Sequence, residues 1–173
     1  IAVMGVNTAR SLTFKDGRVN DEQVAAIRAR LGGLDRKITR IIVTHHPFDL
    51  PMHADHDDLV DRAPMAMEAF AECGVDLLLS GHMHASHSGS TADRYQMSEY
   101  AALVVQAGTA TSTRGRGEVN SFNVVRVEHD KVEVDRYGWD VLGKAFSLMT
   151  TEKFLRSGNI WAAHTDGLYA AGL

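Results

Sequence analysis

The sequence predicts an α/β protein with a mixed sheet, and three observations support this fold class. Apolar runs typical of buried strands alternate with helical segments in the first half of the chain, and hairpin-forming strands follow in the second half. Hydrophobic residues make up 45% of the chain and charged residues 23%, which is typical of a globular domain rather than a disordered or fibrous one. A chain of 173 residues is long enough for one domain with a substantial core.

The first half of the chain predicts strands that alternate with helices. Asn20, with Gln23 three residues later, fits the capped start of a helix. Pro47 prevents the second strand from continuing, because proline cannot donate a hydrogen bond within a sheet. The predicted elements are a buried strand at 1–7, a helix that begins after Asn20 and ends at Gly32-Gly33, a strand at 38–44, a helix at 63–73 and a strand at 75–79.

The second half of the chain predicts strands without helices between them. Residues 101–106 form an apolar run, and 121–139 is expected to be a hairpin that turns at His129-Asp130. Beyond Trp139 the pattern weakens, with strand or helix pieces expected over 146–154. We therefore divide the chain into a main region, 1–140, and an extension, 141–173, that packs as strands or helices or forms an oligomer contact.

Charge, cysteine content and hydropathy exclude several classes of protein. The net charge of -4 argues against binding to a nucleic-acid backbone, which usually requires a basic face. A single cysteine, Cys73, excludes an internal disulfide and gives no sign of secretion. No apolar run approaches the roughly 18 residues that suffice to span a membrane. We therefore expect a cytoplasmic protein with no membrane partner.

Histidines follow two strands of the predicted sheet at the point where each strand ends. His45 and His46 follow the second strand, and His82 and His84 follow the third. Because the carboxyl ends of parallel strands share one edge of a sheet, three of these imidazoles, those of His45, His82 and His84, can converge on a metal ion. If the backbone stays extended after Gly81, the i, i+2 spacing puts the side chains of His82 and His84 on the same side of the chain. The simpler interpretation, without a metal ion, is that these histidines are ordinary polar residues where the strands meet solvent.

The number of ligands decides between one metal ion and two. A catalytic zinc ion needs about three protein ligands and a water, which the three histidines can supply. A two-metal site also needs carboxylates. The aspartates that are nearest in sequence lie on a long loop, so we expect them not to be ligands: Asp49, Asp55, Asp57 and Asp58.

The histidine motifs resemble those of a known family. VTHHPFDLP and LLLSGHMH, in this order and each after a strand, resemble the last two metal motifs of the calcineurin-like metallophosphoesterases, particularly the bacterial cyclic-nucleotide and glycerophosphodiester phosphodiesterase branch. IAVMGVNTARS and VVQAGTATS are also similar to segments of that branch, so that the resemblance extends to about Trp139. It implies the C-terminal portion of an αββα sandwich with a mixed sheet.

The resemblance also implies an activity and roles for particular residues. The family hydrolyses phosphoesters at a dinuclear centre of Fe, Mn or Zn, so the implied substrate is a phosphodiester small molecule. By similarity, His45 and His82 would bind the second metal ion and His84 the first. His46, Thr109 and Arg114 are candidates for contacts with substrate or with the metal ligands.

The sequence departs from the family at its early motifs. An Asp-x-His, a Gly-Asp-x-x-Asp and a Gly-Asn-His-Glu are absent, and with them the catalytic histidine. We therefore expect that this chain is the C-terminal part of a parent longer by roughly 100 residues. Alone, it should be weakly active or inactive, and an exposed sheet edge should favour a homo-oligomer. The alternatives are a non-catalytic interaction module with this fold and a mononuclear zinc hydrolase that uses the three histidines.

Overall fold

A computed structural model of the chain describes residues 1–9, 17–50, 59–112 and 117–165. The predicted α/β class with a mixed sheet is confirmed: these residues form two sheets and two α-helices. The elements are β1 (Ala2–Gly5), α1 (Asp21–Leu31), β2 (Arg40–Val43), α2 (Ala63–Cys73), β3 (Leu77–Ser80), β4 (His87–Ser90), β5 (Leu103–Gln106), β6 (Ser121–Val127), β7 (Lys131–Asp140), β8 (Ala145–Ser157) and β9 (Ile160–Ala163).

The first sheet has the strand order β1-β2-β3-β5-β4 and is mixed. β1, β2, β3 and β5 are parallel, whereas β4 pairs antiparallel with β5. Because successive side chains of a strand point to opposite faces, Leu78 and Val104 pack with α1 and α2, while Leu77 and Leu103 pack against the second sheet. The carboxyl ends of β2, β3 and β5 therefore lie side by side at one edge.

The second sheet is an antiparallel meander of β6, β7, β8 and β9. Its inner face buries Val132, Val134, Phe154 and Trp161 against the first sheet. Its outer face carries an aromatic cluster, in which the rings of Phe122 and Tyr137 stack with centroids 5.2 Å apart. Trp139 and Phe146 extend this cluster. In the part of the chain that the structure describes, both α-helices lie on the first sheet.

Most of the predicted elements occur where the sequence placed them. Asn20 and Gln23 form the predicted capping box of α1, and α2 spans the predicted residues. The weak pattern over 146–154 belongs to the long strand β8. The expectation of a buried first strand was wrong, because β1 is an edge strand with Val3 63% exposed. The boundary at 140 falls in the turn between β7 and β8, and the division into two regions stays a prediction.

A buried polar network joins the two sheets at the amino ends of the strands of the first sheet, opposite the end that carries the histidines. The Asp76 carboxylate, which precedes β3, accepts hydrogen bonds from the Arg156 guanidinium (2.9 Å), the Trp161 indole (3.1 Å) and the backbone N–H of Arg40 (2.9 Å). Arg156 lies over the Trp161 ring and also contacts Asp130. We call these residues the Asp76 network: Arg40, Asp76, Asp130, Arg156 and Trp161.

The two α-helices of the described ranges are also too short or too polar to cross a membrane.

Candidate metal centre

Strands β2 and β3 place two histidine segments next to each other. The strands are neighbours and parallel, and the pairing continues past their ends: Thr44 N–H donates to the Leu79 carbonyl (2.9 Å), and Gly81 N–H donates to the His45 carbonyl (3.2 Å). His45 and His82 consequently emerge at the same edge of the sheet. The sequence-based expectation that these strand ends meet is consistent with this pairing.

Three imidazoles converge at this edge, and we call them the histidine cluster: His45, His46 and His82. One ring nitrogen from each of the three lies within 4.8 Å of the other two. His82 Nδ1 is 3.1 Å from His45 Nε2, and the ring centroids of His46 and His82 are 4.4 Å apart. Zinc–nitrogen bonds of about 2.0–2.1 Å imply ligand separations of about 3.4 Å in a tetrahedral site. The donor set therefore suits one transition-metal ion, and the most distant pair of nitrogens would have to move from 4.8 Å toward this separation for all three to bind it.

His46 is the most firmly held residue of the cluster and is only 7% exposed. Its Nδ1 lies 2.9 Å from Thr8 Oγ1, and its backbone N–H donates to the same oxygen. The Thr44 hydroxyl donates to the His46 carbonyl. The ring also packs on Gly17, where an added Cβ would be 2.3 Å from it. Hydrogen bonds of this kind orient metal-binding imidazoles in proteins, so His46 suits a ligand role as well as the supporting role predicted for it.

His84 occupies a separate position beside β5. Its Nδ1 lies 2.6 Å from Thr109 Oγ1, which brings together two residues that the sequence singled out. The histidine cluster does not include His84, and its role as a metal ligand stays a prediction. Asp49 pairs with Arg94, at 2.6 Å, and the expectation that it is not a ligand stays a prediction. Arg114, Asp55, Asp57 and Asp58 lie outside the described residues.

The backbone of the loop after β3 turns at the histidines. His82 and His84 adopt φ angles of 71° and 58°, so the condition of an extended backbone after Gly81 is not met. The left-handed region is unfavourable for residues with a Cβ atom, and such strain concentrates at functional sites. The histidines rather than the glycine therefore carry the turn.

The polar groups around the cluster are not all satisfied by the protein. Ser80 Oγ and Gln106 Oε1 are buried and have no hydrogen-bond partner among the described residues. These two residues are register partners at the ends of β3 and β5, directly below the histidine segments. Burial also lowers the pKa of His87 at the start of β4 and raises the pKa of Tyr95 to about 12. The neutral form of the imidazole is therefore favoured at His87.

Comparison with known proteins finds similarity among solved structures. No protein-family profile and no curated protein matches the chain. Among solved structures, Vps29 from Chaetomium thermophilum is 14% identical, with a TM-score of 0.37 over 68% of this chain and 70% of that one. Vps29 from Entamoeba histolytica in complex with zinc is 12% identical, with a TM-score of 0.34 over 85% of this chain and 96% of that one. At this level of overlap, the similarity alone assigns neither a family nor an activity.

Proposed function

We propose that the chain contributes a metal site to a metal-dependent phosphodiester hydrolase. The convergence of His45, His46 and His82 within 4.8 Å at the carboxyl ends of β2 and β3 is the observation that carries the proposal. The motifs VTHHPFDLP and LLLSGHMH, which resemble those of the calcineurin-like metallophosphoesterases, support the choice of reaction and of the cyclic-nucleotide and glycerophosphodiester branch.

The residues of the site divide into ligands and supports. His45, His46 and His82 would hold one ion, and His84 would hold a second ion in a dinuclear centre. A bound Fe, Mn or Zn ion supplies positive charge that polarises the phosphoryl group and makes water more acidic. The Thr109 hydroxyl, 2.6 Å from His84 Nδ1, orients that ring. Thr8 orients the His46 ring in the same way.

A mononuclear zinc hydrolase is the second candidate. In the ranges that the structure describes, the histidine cluster contains three imidazoles and no carboxylate. Three histidines and a water complete a catalytic zinc site, whereas two-metal sites generally need carboxylates to balance the charge. A non-catalytic interaction module remains the alternative from a different class, and it would bind no metal.

Metal content separates these candidates. A protein that also carries the early motifs should retain two equivalents for a dinuclear site and one for a mononuclear site; the purified chain, freed of metal and then saturated with Zn or Mn, should retain the one equivalent of its histidine cluster. His82→Ala should lose at least one equivalent. His129→Gln, a change of a half-exposed histidine in the β6–β7 turn, is the matched control and should retain the wild-type content. No retained metal in the wild-type chain would reject both hydrolase proposals.

Turnover tests the reaction itself. The metal-loaded chain should hydrolyse bis(p-nitrophenyl) phosphate slowly, because its sequence lacks the family's early motifs. This turnover should disappear in His82→Ala and persist in His129→Gln. Metal binding without any turnover that depends on His82 would leave the metal site in place and reject hydrolysis by this chain.

A further inference from the structure

One side of strand β8 in the second sheet is open along most of its length. β8 is 13 residues long and pairs with β7 over 145–155. On its other side it pairs with β9 only over 154–157, and the Lys153 carbonyl accepts one further hydrogen bond from the His164 N–H (2.8 Å). In the ranges that the structure describes, no strand pairs with that side of residues 145–152, which we call the β8 edge.

The β8 edge is exposed and almost uncharged. Seven of its eight residues are exposed, and the side chains of Leu148 and Met149 are 53% and 51% exposed. Its sequence is AFSLMTTE, so Glu152 is its one charged residue and it contains neither proline nor lysine. Proteins usually prevent edge pairing by short strands, lysine, proline or a covering segment. Among the residues that the structure describes, the β8 edge has none of these four protections.

The other edges of the two sheets are better protected. β1, β4 and β9 each consist of four residues, and β4 (HSGS) has no apolar side chain. β6 is longer, but it is mostly half-buried and carries Arg126. The β8 edge therefore offers an additional strand the longest exposed run of backbone N–H and C=O groups in the described part of the chain.

One irregularity interrupts the β8 edge. The register of β8 against β7 shifts between Arg136 and Tyr137, which leaves Met149 without a register partner and forms a bulge. Bulges disrupt the regular ladder and weaken edge pairing. A partner at this edge should therefore be held reversibly rather than permanently.

The side chains around the β8 edge favour a second copy of the same chain as the partner. Leu148 is the register partner of Tyr137, so it continues the outer aromatic cluster to the edge. Two such edges side by side would join their clusters into one apolar strip, and contiguous exposed apolar surface marks interaction sites. The exposed large apolar side chains at this end of the sheet are Trp139, Val141, Leu142, Leu148 and Met149.

The charges at the two ends of the β8 edge favour an antiparallel pair. Lys144 directly precedes the edge, and Glu152 ends it. In an antiparallel pair the Lys144 end of one copy lies beside the Glu152 end of the other, whereas a parallel pair brings like charges together. Lys153, which follows, already faces the carboxylate of its register partner Glu133. A twofold axis, the commonest symmetry of protein dimers, also makes identical edges antiparallel.

We propose that the β8 edge pairs antiparallel with the β8 edge of a second copy of this chain. The two four-stranded second sheets then form one continuous sheet across the dimer. A single strand pair buries less surface than a standard protein interface, so the dimer forms reversibly as the concentration rises. This inference does not rest on the proposed function, because the contact needs neither metal nor substrate.

The first experiment measures sedimentation of the metal-free full chain over a range of protein concentrations, so that a metal ion cannot bridge two copies. The wild-type chain should shift reversibly from monomer to dimer. Leu148→Glu, which places a carboxylate from each copy at the middle of the paired edges, should weaken the dimer at least tenfold. A wild-type chain that is monomeric at all concentrations would overturn the proposal.

Leu155→Glu is the matched control. This leucine is on the same strand and is 40% exposed, but the edge beside it is already paired with β9 at Ala162. Its register partner on β7 is Lys131, which can face the new carboxylate. The dimer should keep its wild-type affinity in this variant, and an equal loss in the two variants would overturn the assignment to the β8 edge.

Amide hydrogen exchange of the wild-type chain locates the contact and covers the case in which Leu148→Glu does not fold. Amides of 146–151 should exchange at least tenfold more slowly in the dimer than in the monomer, whereas those of β1 should not change. Slower exchange at β1 instead would assign the dimer to the first sheet and overturn the proposal. Protection of 146–151 that is equal at all concentrations would also overturn it, since a segment of the same chain would then cover the edge.

Charge reversal tests the direction of pairing. Lys144→Glu and Glu152→Lys should each weaken the dimer at least threefold, because each brings like charges together. The double variant should recover most of the wild-type affinity, because opposite charges then lie side by side again. No effect of either single change, or no recovery in the double variant, would overturn the antiparallel pairing.

Discussion

Polar side chains are paired differently at the two edges of the first sheet, one formed by the amino ends of its strands and the other by their carboxyl ends. In the Asp76 network, three donors reach one buried carboxylate, and the buried arginine beside it also contacts a second aspartate. At the other edge, three imidazoles crowd together without a carboxylate in the cluster, and the loop from β3 adopts left-handed backbone angles. The first edge has its buried charges paired within the protein, whereas the second is where we propose that a metal ion binds.

This difference separates stability from function within one sheet. Buried charges that are fully paired make the structure costly to disrupt, because removal of one partner leaves the other unsatisfied. Strained backbone and unsatisfied polar atoms reduce stability and persist where a ligand can use them. We therefore expect that a substitution that relieves strain at the histidine edge raises stability, whereas a substitution that removes a partner in the Asp76 network lowers it.

The largest effect is expected at the Asp76 network. Asp76→Ala leaves the Arg156 guanidinium, whose side chain is only 11% exposed, without its buried partner. The free energy of unfolding should fall by about 3–5 kcal/mol, measured by urea denaturation. Asp130→Ala, at a carboxylate that is 67% exposed, is the control and should cost less than about 1 kcal/mol. Similar losses for the two variants would contradict the structural role of the network.

A smaller effect is expected where the histidine cluster contacts its support. Gly17→Ala would place a Cβ 2.3 Å from the His46 ring, so the ring must move. We expect a loss of about 1–3 kcal/mol in the metal-free chain, which is typical of overpacking. Zinc affinity should fall at the same time, since the His46 ring leaves its position. Gly33→Ala, at a glycine with open space around its Cβ position, is the control. Unchanged zinc affinity would remove His46 from the ligand set.

The smallest effect has the opposite sign. His82→Gly removes the strain of a non-glycine residue at a φ of 71°. The metal-free chain should therefore become more stable by up to about 1 kcal/mol in thermal or urea unfolding. Zinc binding should be lost in the same variant, so that stability and metal content change in opposite directions. A clear loss of metal-free stability would show that His82 is a structural residue.

The part of the fold that follows strong local patterns could be predicted from the sequence. The cap at Asn20 and Gln23, the apolar runs of β2, β3 and β5, and the hairpin turn at His129-Asp130 all carry a local signal. β4 has the sequence HSGS, with no apolar residue to reveal a strand. The sequence predicted only part of β8. Much of this strand is exposed, and a register shift at Arg136/Tyr137 interrupts its pairing with β7.

The candidate site was predictable in its location but not in its composition. Histidines after parallel strands indicate a shared edge, and His45 and His82 do meet there. The position of His46 depends on Thr8 and Gly17, which are distant in sequence and have no feature that marks them as contacts of this histidine. The left-handed angles of His82 and His84 could not be anticipated, since the adjacent Gly81 is the residue that ordinarily adopts them. Tertiary contacts therefore decide which imidazoles converge.

The two tryptophans of the chain lie on opposite faces of the second sheet, and this arrangement gives each a different optical environment. Trp161 is 1% exposed within the Asp76 network, while Trp139 is 38% exposed in the outer aromatic cluster. Fluorescence emission from Trp161 should be blue-shifted and should move to longer wavelength only when the sheets separate. Emission from Trp139 should instead respond to soluble quenchers in the native state, so the chain carries separate intrinsic reporters for its interior and its surface.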